Sequence, residues 1–437
     1  MSAKRYIDDA PFGPFHLRLA LYSCGGPFCD GYILGIIAIA MEPLSQELGL
    51  GPGWQGLVGA ATLMGMLIGG FSFGYITDRI GRQVMYTVDL VLLVAASAAQ
   101  YWVGSGWTLF VLRFILGLAV GADYPIASAL LTEFAPKRER GMLLSGLIAA
   151  WWLGYTTSFI AGYLISDALG TTWRWMLASS AVPAAIVVLL RLGTPESPRW
   201  LVSQGRIEEA RAVIRKHFGE SYDLEELVRT ARAKWQHIFY GEYGRRTLFV
   251  ALFWTCHTIP NFAIYTFAPQ LLKALGATNP SLGAVIMSLF FMVGVLPAIF
   301  LVDRVGRRPL LIIPFGICGV TMLSLALIPT TSSIAIATCF IVYATVSAGS
   351  SVLEWVYPCE LFPTEIRATA MGFATSISRF GAAVGTFLFP IGLAHLGASW
   401  ITFLTSSICF FGLVVSLRMA PETRGRSLGD ASAVRTG

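Results

Sequence analysis

The 437-residue chain is 55% hydrophobic and 13% charged, with 45 glycines. So few polar residues cannot cover the surface of a soluble protein this long, which excludes a soluble enzyme or binding module. The net charge of +6 would point to nucleic acid only if the basic residues formed a patch on a soluble domain. They do not, so no nucleic-acid partner is expected.

Taken in chain order, a polar stretch from Met1 to Pro14 precedes a first apolar run over 17–41. That run is too long for a signal-peptide core and no small-residue cleavage site follows it, so it reads as a retained helix. Apolar runs follow at 54–76, 84–104, 107–131, 142–166 and 173–193, then at 247–272, 281–302, 310–329, 333–357, 368–394 and 399–420. Each is long enough to cross the roughly 30 Å hydrocarbon layer of a bilayer. The expected architecture is an all-α membrane protein: twelve transmembrane helices in two pseudo-symmetric six-helix halves, with the lipid bilayer as partner. An even number of crossings puts both termini on one side. Placing them in the cytoplasm assigns all but four of the 31 Lys and Arg to cytoplasmic segments, the bias of the positive-inside rule. The four are Arg174 and Lys273 outside, and Arg113 and Arg379 within the membrane.

The expected domains are a six-helix bundle over 1–193, a cytoplasmic helical linker over 194–246, a second bundle over 247–420 and a cytoplasmic tail over 421–437. Within the linker, Arg206 to Phe218 sets Ile207, Ala210, Val213 and Ile214 on one face of an amphipathic helix. Three motifs recur at nearly one offset. Asp78-Arg79-x-Gly81-Arg82 returns as Asp303-Arg304-x-Gly306-Arg307, and Glu133-x-x-Pro136-x-x-x-Arg140 as Glu360-x-x-Pro363-x-x-x-Arg367. Pro195-Glu196-Ser197 returns as Pro421-Glu422-Thr423. Unrelated motifs sharing one offset indicate a duplication, and paired halves with a site between them are how many secondary transporters are built.

The loops carrying these motifs, GYITDRIGRQ (74–83), TEFAPKRERG (132–141), PESPRWL (195–201), LVDRVGRRP (301–309), PCELFPTEIRA (358–368) and PETRGRSL (421–428), resemble those of the major facilitator superfamily, specifically its sugar-porter-like branch. GGPFCDGYILG (25–35) and GADYPIASALLTEF (121–134) are similar to inner-membrane metabolite transport proteins of enteric bacteria. GADYP also resembles the phosphate:proton and organic-acid:proton symporters. The resemblance covers nearly the whole chain. It implies alternating access by a multi-pass protein of the bacterial inner membrane, with a small-molecule substrate and a proton as partners and a monomer as the working unit. The glutamines of the hexose transporters would fall at Ile148, Tyr155, Thr255 and Cys256. Only Asn261 and Trp355 fit the sugar-contact pattern, which speaks against a hexose.

A charge in hydrocarbon costs about 2.5–3.5 kcal/mol on insertion scales, so intramembrane charges mark function or pairing. Asp30 lies near the middle of the first span beside Gly25, Gly26 and Pro27. The resemblance to sugar–proton symporters implies a pair between Asp30 and Arg113, either proton-coupling or structural. Asp123 lies ten residues beyond Arg113 on the same helix, about 15 Å along and about 80° round, so those two are not partners. The resemblance makes Asp123 a second proton or substrate group; the alternative is a hydrogen bond within the bundle. Arg379 either attracts an anionic substrate, since its fork suits carboxylates, or pairs with Glu354. Asp89 reads as a gate or packing residue, and His257 as a cavity hydrogen bonder or a buried neutral residue. Tyr155, Asn261 and Trp355 complete the expected substrate contacts with Arg379.

The loop charges Asp78, Arg79, Arg82, Glu133, Arg140, Asp303, Arg304, Arg307, Glu360 and Arg367 are expected to form a cytoplasmic gate whose ion pairs cross between the halves. Such pairs are individually weak and open on each cycle. Gly70-x-Ser72-x-Gly74 matches a nucleophile elbow in spacing but falls inside a membrane helix. Glycines four apart, as in Gly65/Gly69, Gly117/Gly121 and Gly381/Gly385, read as helix-packing contacts. The seven cysteines lack CxxC or metal-ligand spacing, and no nucleotide, zincin or dinucleotide motif appears. No enzyme activity, cofactor or metal is therefore expected. The favoured reading is a proton-coupled symporter of a small organic metabolite, with two cavity arginines tilting it towards an organic anion. A sugar or polyol porter and a passive facilitator are the alternatives, and a transporter-like sensor ranks below them.

Overall fold

The computed structural model describes residues 5–6, 11–80, 82–134, 140–170, 172–191, 196–219, 222–223, 238–327, 333–362 and 364–424. Within those stretches, several side chains are outside the description. Among the described residues the chain is helical apart from a two-residue parallel pairing of Arg5–Tyr6 with Tyr222–Asp223. Among the described residues the apolar runs fall mainly on helices, two of the runs being interrupted by short turns. Ten described stretches are long and apolar enough to cross a membrane.

The first set comprises α1 (Pro14–Leu48), α2 (Pro52–Ile80), α3 (Arg82–Ala99), α4 (Gly106–Phe134), α5 (Arg140–Leu169), and the broken pair α6 (Trp173–Ala178) and α7 (Ala181–Arg191). The connecting segment holds α8 (Pro198–Ser203) and α9 (Ile207–Phe218). Ala210 and Ile214 of α9 are buried, as the amphipathic pattern requires, while Ile207 is exposed. Phe218 seats α9 against Phe15 of α1 and Phe134 of α4, with ring centroids 5.4 and 6.3 Å apart. The second set runs from α10 (Gly241–Ala274) through α11 (Pro280–Val305) and α12 (Arg307–Leu327) to the broken pair α13 (Ser333–Ser350) and α14 (Leu353–Leu361). It ends with α15 (Thr364–Leu396) and α16 (Ala398–Met419).

Small residues set the closest approaches. A Cβ on Gly154 of α5 would stand 1.9 Å from the Phe28 carbonyl oxygen of α1, and one on Gly31 2.0 Å from that of Trp151. Gly65 and Gly117 put α2 and α4 in backbone contact in the same way, since a Cβ on either would fall within 2.2 Å of a facing carbonyl oxygen. The glycine spacings are thus packing contacts, as dispersion-driven helix association in lipid demands.

The two sets meet along α2 with α15, α5 with α11, and α1 with α10. At the end of the bundle away from the termini they are held together. Lys273 of α10 pairs with Glu42 of α1, and the Gln270 amide donates to Gln55 Oε1 at 3.4 Å. Gly56 of α2 packs so tightly on α15 that a Cβ there would sit 2.1 Å from the Phe387 carbonyl oxygen.

Candidate functional site: buried charges between the helix sets

Near the middle of α5 the interface between the sets is aromatic. Trp151, Trp152 and Tyr155 of α5 face Phe262 and Tyr265 of α10 and Phe291 of α11. Tyr155 stacks on Trp151 at 5.7 Å and lies 5.3 Å from the Tyr265 ring. Pro269 lacks the N–H that would bond the Tyr265 carbonyl one turn earlier, and the backbone of α10 leaves helical geometry at Phe267 (φ −118°, ψ 22°). The Tyr155 hydroxyl donates to that carbonyl at 3.3 Å, so a proline in one set creates an acceptor for a tyrosine in the other. Thr156 likewise donates to the Ser288 carbonyl at 3.0 Å.

Asp30 of α1 is fully buried, and neither carboxylate oxygen has a hydrogen-bond partner among the described residues. It lies in electrostatic range of Asp123, Asp89, Arg191 and Arg379. Arg113, also fully buried, donates from Nη2 to the Ile33 carbonyl at 3.3 Å, while its Nε and Nη1 have no partner among the described residues. The guanidinium therefore rests on the turn of α1 that follows Asp30. The expected Asp30–Arg113 ion pair does not form in this structure: the α1 backbone, not the carboxylate, takes the arginine.

Asp123 is paired, with a partner the sequence reading missed. Arg191, closing α7, approaches Asp123 Oδ1 at 3.5 Å through Nη1 and donates from Nε to the Tyr22 carbonyl at 2.8 Å. Asp123 also packs against Gly26, where a Cβ would stand 1.9 Å from Oδ2. Asp89 of α3 lies beside this pair, buried, its Oδ1 accepting the Leu90 N–H at 2.6 Å. It is thus part of a carboxylate cluster with Asp123. In sequence Arg191 stands near the end of its apolar run, among the charges that set topology. A lone arginine closing a span opposite a buried aspartate was the available signal.

Arg379 of α15 lies over the Phe262 ring, 5.1 Å from its centroid. Its alternative partner, Glu354, is engaged elsewhere: Glu354 Oε1 lies 2.6 Å from His257 Nδ1. Asn261 Oδ1 accepts from the Tyr343 hydroxyl at 2.7 Å and the Ser347 hydroxyl at 2.6 Å. Trp355 follows the break between α13 and α14 and is half-buried. Tyr155 and Arg379 thus converge on the Phe262–Tyr265 face of α10, whereas Asn261 belongs to a polar network deeper in the second set.

Of the expected gate, the side chains of Asp78, Arg79, Arg82, Glu133, Arg140, Asp303 and Arg367 lie outside the described residues. Arg304 is exposed. Arg307 grips Glu360 through two bonds, of 2.7 and 3.2 Å, and Thr423 donates to the same carboxylate. Arg307 and Glu360 belong to the second set and Thr423 follows its last helix, so this pair ties helix ends together within that set. Glu422 accepts the backbone N–H groups of Arg307, Arg308, Thr423 and Arg424 at 2.9–3.1 Å. It thereby caps the start of α12 from a distant part of the chain.

The family model for "Sugar (and other) transporter" matches residues 24–434. The chain is 42% identical to the Escherichia coli K12 protein named "Putative metabolite transport protein YaaU", over 99% of this chain and 98% of that one. It is 37% identical to the "Inner membrane metabolite transport protein YgcS" of the same organism, over 98% and 96%. The proton:xylose symporter XylE superposes with a TM-score of 0.79 at 24% identity, covering 95% of this chain and 98% of that one, and shares the fold. The chain belongs to the sugar (and other) transporter family of the major facilitator superfamily: a multi-pass inner-membrane transport protein, not an enzyme.

Proposed function

We propose that the protein is a proton-coupled symporter of a small organic anion, working by alternating access between the two helix sets. The observation that carries the reading is Asp30: a carboxyl buried between helices, with both oxygens unpartnered and a buried arginine resting one turn away. A buried carboxyl in that setting is held neutral by desolvation or ionised by a cationic partner. Arg113 moves between the Ile33 carbonyl and Asp30 as the proton leaves and returns. The fold neighbour XylE is a proton:xylose symporter, which agrees with proton coupling here.

In this reading twelve spans place both termini in the cytoplasm, and residues 1–193 and 247–420 are the moving bundles of a monomer. The Glu42–Lys273 contact closes the periplasmic end, and the loop charges form the cytoplasmic gate. Arg113 and Arg379 supply the positive field for the substrate, and Tyr155, Asn261 and Trp355 its walls. A sugar or polyol is the second reading, favoured by Asn261 and Trp355 at sugar-contact positions.

Thermal-shift screening of the purified protein against carboxylates, sugars and phosphate at two pH values identifies the ligand class, with carboxylates expected to stabilise. With that ligand, Asp30→Asn in proteoliposomes is expected to abolish uphill accumulation driven by a proton gradient while leaving exchange of pre-loaded ligand. Accumulation by the variant against a gradient would refute the coupling role.

A further inference from the structure

Behind the interface, in the second set, His257 joins α10 to both sides of the break between α13 and α14. Its Nδ1 lies 2.6 Å from Glu354 Oε1, past the break. Its Nε2 lies 3.0 Å from three groups at once: the Ser347 carbonyl oxygen and the Ser350 hydroxyl before the break, and the Asn261 side-chain amide. The Asn261 amide is oriented by two donors, because Tyr343 and Ser347 both give hydroxyl hydrogens to Oδ1. That leaves its NH2 facing His257.

The three groups differ in what they can do. A carbonyl oxygen only accepts, so it serves Nε2 when that nitrogen carries hydrogen. The Asn261 NH2 only donates, so it serves Nε2 when the nitrogen presents a lone pair. The Ser350 hydroxyl serves either form. In both forms the short Nδ1···Oε1 contact holds one hydrogen between imidazole and carboxylate. Buried polar atoms normally have partners for the one state they occupy; here a single nitrogen has partners for two.

We infer that His257, held by Glu354, is a second proton-binding site of this transporter, which gains and loses its proton at Nε2. With the proton bound, Nε2–H donates to Ser347 and ties α10 to the end of α13. With the proton released, Nε2 accepts from Asn261 and the Ser350 hydroxyl, and the bond to the Ser347 carbonyl is lost. The titratable and charged groups around the pair are Cys256 and Tyr265 of α10, Cys318 of α12, Tyr343 of α13 and Cys409 of α16, with Arg379 of α15 on the Phe262 face of α10. The residues lining the small cavity beside His257 include no lysine, arginine, aspartate or glutamate, so Glu354 is the charge in direct contact. The site is separate from Asp30 and does not depend on the symport reading. Its proton changes the bonding of Asn261, an expected substrate contact.

The test is 15N spectroscopy of histidine-labelled full-length protein in nanodiscs, which contains five histidines, with His257 assigned by His257→Gln. From about pH 5 to about pH 9, Nε2 of His257 is expected to switch between its N–H and lone-pair forms while Nδ1 stays in its hydrogen-bonded form. Glu354→Gln is expected to weaken proton binding about tenfold or more, a loss of about 1.4 kcal/mol, and Asp30→Asn to leave the His257 titration in place. An Nε2 that keeps one form over the whole range overturns the inference, and so does a titration that Glu354→Gln leaves unmoved. If Glu354→Gln fails to fold, the wild-type titration and Glu354→Asp, which keeps the charge and should retain the switch, decide the matter.

Discussion

Asp123 and Arg191 meet 3.5 Å apart with side chains 0% and 5% exposed. Removing one member of such a pair strands a charge in low dielectric and typically costs about 3–5 kcal/mol, more than the pair itself contributes. Arg191→Gln is therefore expected to destabilise the protein by about 3 kcal/mol, read as a fall in the thermal unfolding midpoint in detergent. Arg191→Gln combined with Asp123→Asn should recover most of that loss. A double variant as unstable as the single one would mean that the bond from Arg191 to Tyr22, not the charge pair, matters. Only part of this was legible from sequence. Asp123 stood out as a charge in an apolar run, but Arg191 lies 68 residues away in the chain, and no spacing links them. For Asp30 and Arg113 the sequence placed both groups in the same region. Which of two acceptors on α1 takes the guanidinium is a matter of ångströms.

Helix ends and breaks carry the next layer. The start of α12 has four orphan N–H groups like any helix, and Glu422 takes those of Arg307 and Arg308. Burial pushes the Glu422 carboxyl up. The backbone N–H groups of Arg424, Arg307, Arg308 and Thr423 outweigh that and hold it below its usual range. A folded-state value below the unfolded one adds stability that is fully present above the ordinary carboxylate range and is lost as pH falls through the depressed value. Glu422→Gln should therefore lower the thermal midpoint at pH 7, with the gap from wild type narrowing on acidification below about pH 5. A gap independent of pH would show that packing, not charge, is at work. In sequence the recurring Pro-Glu-Ser/Thr signature marks the duplication; its capping role emerges only in the fold, because Glu422 and Arg307 are 115 residues apart. The breaks at Ser179–Ser180 and Ser351–Val352 were not foreseen, since hydropathy runs through both without interruption.

For the whole molecule, the described contacts close one end of the bundle: Glu42 with Lys273, Gln55 with Gln270, and Gly56 against Phe387. The gate expected from sequence involves charges of the repeated loops and none of these contacts. Glu42→Lys places two cations where a pair stood and is expected to favour opening at that end. Spin-label distances across it should lengthen, and the charge swap Glu42→Lys with Lys273→Glu should restore them. Unchanged distances in the single variant would mean that the Gly56–Phe387 contact holds the end shut by packing alone.

The sequence by itself determined the class of protein. Hydropathy marks an all-helical membrane protein because unsatisfied backbone is too costly in lipid for open strands or loops there, and the duplicated loop motifs mark the family. It also identified Asp30, Arg113, Asp123 and Arg379 as charges out of place. Only the tertiary structure decided their partners: Ile33 for Arg113, Arg191 for Asp123, the Phe262 ring for Arg379, and His257 for Glu354. The reason is physical. Burial follows from composition and needs only local periodicity, whereas a hydrogen bond depends on separations of about 3 Å between helices far apart in the chain, set by glycine contacts and proline breaks that leave no trace in hydropathy.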